Sequence, residues 1–281
     1  MQLFTDNPTA WRRRSELPPD LPAFRQRLAE YDIGPLAIHA PYLVNLAGAD
    51  EKFHQQSIDT VVSELEVGAA YGARFVNVHV GSHRGLGRDE GLRQLVDGLA
   101  RILGAIEPGG PVLVLENSAG SGDGIGSSIE DLAAVVELAA RDGLAGFGFC
   151  LDTAHLWAAG YCVDGDEGVG QLVERVDALL GRQNVVMLHL NDSRSGCGSR
   201  VDRHEHIGAG TIGAAGLRAV LQQPWLATLP GYLETPGMDD GFDAINLERV
   251  CMLLRGEDLP ALPAEAFAAR PGRRSRKRAA G

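Results

Sequence analysis

Between residues 187 and 210 the chain reads MLHLNDSRSGCGSRVDRHEHIGAG, which gathers His189, Asp192, Asp202, His204 and His206 into one segment. The segment opens on an apolar run and closes on glycines. Asp202 and His204 are spaced i, i+2. In extended backbone this spacing puts both side chains on one side, about 7 Å apart along the chain. A carboxylate and an imidazole presented in this way reach a single divalent ion. Taken alone, the segment reads equally well as a polar loop that happens to hold histidines.

The rest of the chain weighs against that plainer reading. Six apolar runs of strand length each end in a residue able to bind a metal: LAIH at His39, FVNVH at His79, VLVLE at Glu116, FGFCLD at Asp152, VVMLH at His189 and GYLE at Glu234. Asp152 and His155 add an i, i+3 pair at a strand-to-helix turn. A single strand-end histidine is ordinarily a satisfied structural residue, and six consecutive strand-end donors are not explained in that way. The full candidate set is His39, His79, Glu116, Asp152, His155, His189, Asp202, His204 and Glu234. His54, His83 and His206 fall outside it and are expected on the surface or behind the donors.

The elements that must position these residues alternate. Strands are expected at 2–4, 36–40, 75–80, 112–117, 147–153, 185–192 and 231–236. Helices are expected at 21–31, 57–72, 88–106, 128–141, 168–181 and 214–222. Near-continuous apolar strands separated by helices imply parallel strands covered by helices. No GxGxxG follows the first strand, and the polar residues sit at six strand ends rather than at one switch point. Both features favour a closed arrangement, the TIM (β/α)₈-type barrel, in which all strand C-termini share one face. Seven strands are found where eight are expected. The missing element is placed at the start, as a first strand and helix encoded upstream of Met1.

Composition narrows the class. With 281 residues, 44% hydrophobic and 22% charged, the chain has the make-up of an ordinary globular protein. It shows no hydrophobic leader and no apolar run of spanning length, and its four cysteines form no CxxC pair. A cytoplasmic protein without a disulfide framework is therefore expected. The last twelve residues hold six of the 26 Lys and Arg and none of the 37 acids, so residues 1–269 carry 20 basic against 37 acidic side chains, a net −17. So acidic a body excludes a passive nucleic-acid coat. It suits an enzyme whose carboxylates hold cations. The expected organisation is one barrel over 1–258 and a disordered basic tail over 259–281.

Mixed imidazole and carboxylate donors without thiolates suit zinc, and also manganese or iron. At roughly three protein donors per catalytic ion, nine donors with one shared carboxylate supply three positions. One or two ions would leave buried carboxylates and imidazoles unpaired.

The stretches IHAPYLVNLA, NVHVGSH, LENSAGSGDGIG, CLDTAHLWAAGY, HLNDSRSGCGSRVDRHEHIGAGTIG and LETP resemble the signature segments of the endonuclease IV family, over residues 2 to about 256. That family comprises trinuclear-zinc TIM-barrel enzymes that cut DNA at apurinic and apyrimidinic sites. The resemblance implies that His39, His79 and Glu116 hold one zinc. Glu116 bridges to a second, held with Asp152, His189 and Glu234, while His155, Asp202 and His204 hold the third. It further implies that Glu116 positions the nucleophile and that Tyr42 enters the duplex at the lesion. Thr9 stands where many members carry an inserting arginine, which leaves Arg12, Arg13 and Arg14 as candidates to contact DNA. The implied partner is double-stranded DNA with an abasic site; separately from the resemblance, a monomer is expected. The implied reaction leaves a 3′-hydroxyl and a 5′-deoxyribose phosphate. Rival readings on the same barrel are a sugar isomerase or epimerase, a phosphatase of small esters, or a non-catalytic remnant.

Overall fold

The structure, a computed structural model, describes residues 1–237 and 240–267. Strands β1 (Gln2–Leu3), β2 (Ala37–His39), β3 (Phe75–His79), β4 (Val112–Glu116), β5 (Phe147–Asp152), β6 (Val185–His189) and β9 (Gly231–Tyr232) form one sheet in that order. Every neighbouring pair is parallel. A two-stranded antiparallel hairpin, β7 (Asp192–Ser193) with β8 (His204–Glu205), stands beyond the end of β6. The connecting helices are α1 (Leu21–Glu30), α2 (Glu51–Tyr71), α3 (Arg88–Ala105), α4 (Ile129–Arg141), α5 (Thr153–Ala159), α6 (Asp166–Arg175), α7 (Gly213–Gln222) and α8 (Phe242–Leu254).

Two apolar layers explain this order. An inner cluster of Ala37, Phe75, Val114, Cys150, Met187 and Tyr232 takes one residue from each of six strands. A far larger outer cluster joins the other strand faces to the helices. Strands buried on both faces need continuous apolar sequence, which is what the runs supply. Local signals set the helix ends. Asp50 caps α2 by accepting from the amides of Lys52 and Phe53, Gly72 closes it at φ 76°, and Ser128 caps α4 through the Asp131 amide.

The sheet is a nearly closed barrel of seven strands. Its two ends, β1 and β9, face each other through side chains rather than a hydrogen-bond ladder. Gln2 Nε2 donates to Glu234 Oε1 at 2.7 Å, and the Tyr232 hydroxyl donates to the Pro35 carbonyl at 3.1 Å. Among the described residues there is no eighth strand in this sheet. Phe149, fully buried in the outer layer, tests the packing. Phe149→Ala should lower the unfolding free energy by about 3–5 kcal/mol. An unchanged urea midpoint would contradict this core.

Several boundaries differ from expectation. The run over 185–192 breaks at His189, because the chain turns there to start the hairpin. The helix expected at 168–181 starts at Asp166 and passes into a π-helical turn at Val176–Leu180. Residues 259–267 correct the expected tail. Leu259 packs on the outer core, Arg249 donates to the Pro260 carbonyl at 2.6 Å, and Ala264–Phe267 forms a 3-10 turn with Ala266 buried. Scattered apolar residues anchor this stretch despite its proline and alanine content. The basic run itself, within 268–281, lies outside the described residues. No described helix is long and apolar enough to cross a membrane.

Candidate metal centre

Strand alternation builds the site. On five strands the residue two places beyond the inner apolar residue faces the same way. His39 follows Ala37, Asn77 follows Phe75, Glu116 follows Val114, Asp152 follows Cys150, and His189 follows Met187. Glu234 stands in the same relation to Tyr232 just past β9. A polar layer is thereby laid on the apolar plug at the C-terminal mouth of the barrel. His79 stands one alternation above Asn77. All of the layer except Glu234 and His79 is buried.

The donors meet in three overlapping groups. His39, His79 and Glu116 form the first, and Glu116, Asp152, His189 and Glu234 the second. Asp152, His155 and His204 form the third, with the donor atoms of each group within 4.8 Å of one another. Asp202 joins the third group, 3.3 Å from both His155 Nε2 and His204 Nε2. Glu116 is the hub, with ring nitrogens of His189, His155, His39 and His79 at 3.1, 3.2, 3.4 and 3.5 Å. The nine residues named from the sequence thus converge. The groups coincide with the expected partition, except that Asp152 is close enough to serve two of them.

Ring orientation shows what the pocket fits. The Nδ1 atoms of His39, His155 and His204 meet the carbonyls of Ala40, Asn117 and Glu234 at 2.6, 2.9 and 3.0 Å. A carbonyl only accepts, so each Nδ1 carries the proton and each Nε2 lone pair is left for the centre. His39 Nε2 and His204 Nε2 are buried without a hydrogen-bond partner. Unpartnered buried imidazole nitrogens beside carboxylates are costly unless a cation joins them. The donor set therefore fits divalent cations held by nitrogen and oxygen.

The electrostatics agree with this reading. Burial alone would raise the Glu116 carboxyl, but His189, His79 and His155 outweigh it and hold it well below the ordinary range. Burial would depress His155, yet Asp152, the Asp202 hydrogen bond and Glu116 raise it well above its usual value. His189 is raised likewise against its own burial. For Asp202 burial is overcome by His155 and His204, which bring the carboxyl down to about 2. His79 goes the other way, lowered chiefly by burial. Such opposed shifts concentrated in one cleft mark a functional site.

The supporting residues are not legible as donors in the sequence. Asp152 caps α5 through the His155 amide at 2.8 Å while its other oxygen accepts from Asn191 Nδ2 at 2.6 Å. The Asn191 side chain also accepts from the Glu234 amide at 2.8 Å. Gln2 accepts from His189 Nε2 at 3.0 Å, which turns Nδ1 toward the centre. Asn77 donates to Glu116 at 2.5 Å. Amides placed one or two residues from a donor are the available signal, in NVH, LEN and HLN.

Other candidates lie elsewhere. Asp192 is no donor to the centre: its carboxylate accepts from the amides of Ser193, Gly210, Ile212 and Gly213 and pins the glycine-rich turn. His54 and His206 are buried and bonded to carbonyls, of Leu46 and Ala266 respectively, rather than on the surface. Tyr42 sits at the rim, 54% exposed, its ring 5.7 Å from that of His39 and 6.0 Å from that of His79. Burial, then Glu234, pushes its hydroxyl up to about 12, so it stays neutral. Arg12 is exposed. Arg13, expected as a DNA contact, is turned away from solvent. Its guanidinium lies 3.5 Å from Glu64 of α2 and only 14% of the side chain is exposed, because a buried carboxylate offers it a partner. Arg14 pairs with Asp6 at 3.0 Å.

Residues 1–249 match the xylose isomerase-like TIM barrel family. A Solibacter usitatus protein named probable endonuclease 4 is 39% identical over 263 residues, 94% of this chain and 90% of its own. A protein of that name from Natronomonas pharaonis is 38% identical, over 89% of this chain and 87% of its own. The crystal structure of endonuclease IV from Thermus thermophilus superposes with a TM-score of 0.78 at 36% identity, covering 91% of this chain and 88% of that one. A D-tagatose 3-epimerase-like protein shares the fold at a TM-score of 0.65 and 18% identity. On identity, coverage and superposition together, the chain belongs to the endonuclease IV family.

Proposed function

We propose that this protein is a zinc-dependent endonuclease that hydrolyses the phosphodiester 5′ to an abasic site in double-stranded DNA, leaving a 3′-hydroxyl and a 5′-deoxyribose phosphate. The observation that carries this reading is one buried carboxylate, Glu116, ringed by four imidazoles and shared between two of three overlapping donor groups. His39, His79 and Glu116 would hold one cation, and Glu116, Asp152, His189 and Glu234 a second. His155, Asp202 and His204 would hold a third. Bound divalent cations supply a nucleophile at neutral pH and neutralise charge on the attacked phosphate and the leaving oxygen.

The chain's own residues prepare that chemistry. Backbone carbonyls fix three imidazoles in one tautomer, Gln2 orients His189, and Asn191 holds Asp152 in place. These contacts lock the donors before substrate arrives. The cleft beside the centre is lined by Tyr42, Asn45, Ser82, Arg84, Asn117 and Ser118. An abasic nucleotide has no base to unstack, so turning it out of the duplex is inexpensive. Tyr42 offers a neutral aromatic face to the neighbouring base pair, and exposed Arg12 a charge to the backbone. One chain supplies all nine donors, so a monomer suffices.

The test is cleavage of a duplex carrying one abasic analogue, set beside hydrolysis of a small phosphate ester and the zinc content of the same preparation. Nicking 5′ to the lesion with about three zincs per chain is expected. Ester hydrolysis without nicking would sink the proposal in favour of a phosphatase. One ion and neither activity would point to an isomerase. Tyr42→Ala should lower kcat/KM on that duplex about tenfold to a hundredfold, the equivalent of about 1–3 kcal/mol of stacking, with zinc content unchanged.

A further inference from the structure

Cys162 and Cys197 take no part in the centre or in any role assigned above. Cys162 follows α5, the helix that carries His155, and it is exposed. Cys197 is partly buried in the long connection between β7 and β8, which continues to Asp202 and His204. Both are free thiols, and their sulfurs lie 2.7 Å apart. A disulfide bond spans about 2.05 Å, so an approach of roughly 0.7 Å would close one. The backbones are already joined. The Gly198 amide donates to the Trp157 carbonyl and the Arg200 amide to the Ala158 carbonyl, both at 2.9 Å. No comparable pairing exists for Cys150, sealed in the barrel interior, or for Cys251 on α8.

We propose that Cys162 and Cys197 form an oxidisable dithiol whose disulfide ties the β7–β8 connection to the end of α5. The oxidant is a small disulfide of the glutathione class. The Cys162 thiolate attacks one of its sulfurs, forming a mixed disulfide and releasing one thiolate. Cys197 then gives up its proton and attacks the Cys162 sulfur, expelling the second small thiolate. Two protein thiols are oxidised, one small disulfide is reduced to two thiols, and the two protons end on those thiols. Cys162 is exposed and Cys197 only partly so, which makes Cys162 the first to meet the oxidant, and burial first, then Cys162, pushes the Cys197 thiol up to about 12. The contribution of Cys162 disappears once it has been capped.

The consequence rests on the proposed centre. The bridge would clamp together the two segments that carry His155, Asp202 and His204, the donors of one cation position. A cation held there should leave more slowly from the oxidised protein, since one segment cannot swing away from the other.

Zinc-loaded full-length protein is equilibrated with graded ratios of oxidised to reduced glutathione, blocked with N-ethylmaleimide, denatured and mapped as peptides. The expected result is a cross-link between peptide 195–200 and the peptide containing Cys162, absent from Cys162→Ser and from Cys197→Ser. Full alkylation of both cysteines at every ratio, or glutathione retained on Cys162 without the cross-link, would overturn the dithiol. Zinc transfer to a chelating dye should be several-fold slower from the oxidised protein than from the reduced one, with no such difference in Cys162→Ser. Equal rates would overturn the clamp. A protein that binds no zinc would defeat the functional reading, and the peptide map would still decide the dithiol.

Discussion

Glu116→Gln should reduce nicking of an abasic duplex by on the order of a thousandfold or more. Glutamine keeps the shape of the side chain and can still accept from Asn77, so the barrel is expected to fold. What is lost is a buried negative charge facing four imidazoles at 3.1–3.5 Å. Two donor groups share that carboxylate. Both should lose affinity together, while the third group, built on Asp152, His155, Asp202 and His204, keeps its charge. Elemental analysis is therefore expected to show a drop from about three zincs toward one, with an unchanged circular dichroism spectrum. A variant that retains full metal and full nicking would remove Glu116 from the centre. Loss of the fold alone would show up as a changed spectrum before any assay.

Stripping the metal with a chelator should abolish nicking and lower the melting temperature by about 10 °C. Saturation at about a thousand times the dissociation constant contributes about 4 kcal/mol, and a chain of this size shifts by about 2–4 °C per kcal/mol. The size of that drop should depend on pH with a definite sign. Against their burial, His155 is raised well above the ordinary imidazole range by Asp152, Asp202 and Glu116, and His189 by Cys150, Glu234 and Glu116. In stripped protein their protonated forms stabilise the fold below about pH 6.5, and this contribution is lost as pH climbs through the raised values. Cation binding needs the same nitrogens unprotonated. The gain in melting temperature on adding zinc should thus be larger near pH 8 than near pH 6. Asp202, depressed to about 2, contributes above the usual carboxylate range and fades only as pH falls toward that value, so it does not reverse the trend. A zinc effect that grows on acidification would contradict protons and cations competing for one site.

The parallel barrel is legible in the sequence because its strands are buried on both faces, which forces apolar runs that read clearly against polar helix surfaces. The same runs disclose the donors, since an ionisable residue ending an apolar strand is costly without a partner. Short terminal strands are less clear. β9 spans only Gly231–Tyr232, and α8 escapes the pattern because its sequence, FDAINLERVCMLL, has no clean polar face. Residues 259–267 look loose by composition, yet they dock through Leu259 and Ala266. Local composition does not record which outer surface is waiting to be covered.

Residue types, strand-end placement and the short spacings of Asp152 with His155 and Asp202 with His204 determined which nine side chains are candidates for the mouth of the barrel and which kind of ion they suit. Only the tertiary structure decided how they are shared, because the stagger between strands sets the distances that make Glu116 the hub and bring Asp152 within reach of two groups. It also decided that Arg13 turns inward to Glu64 while Tyr42 stands at the rim, and that two cysteines far apart in sequence come to touch. Such choices depend on what lies across the fold from each side chain, and a linear pattern carries no record of those neighbours.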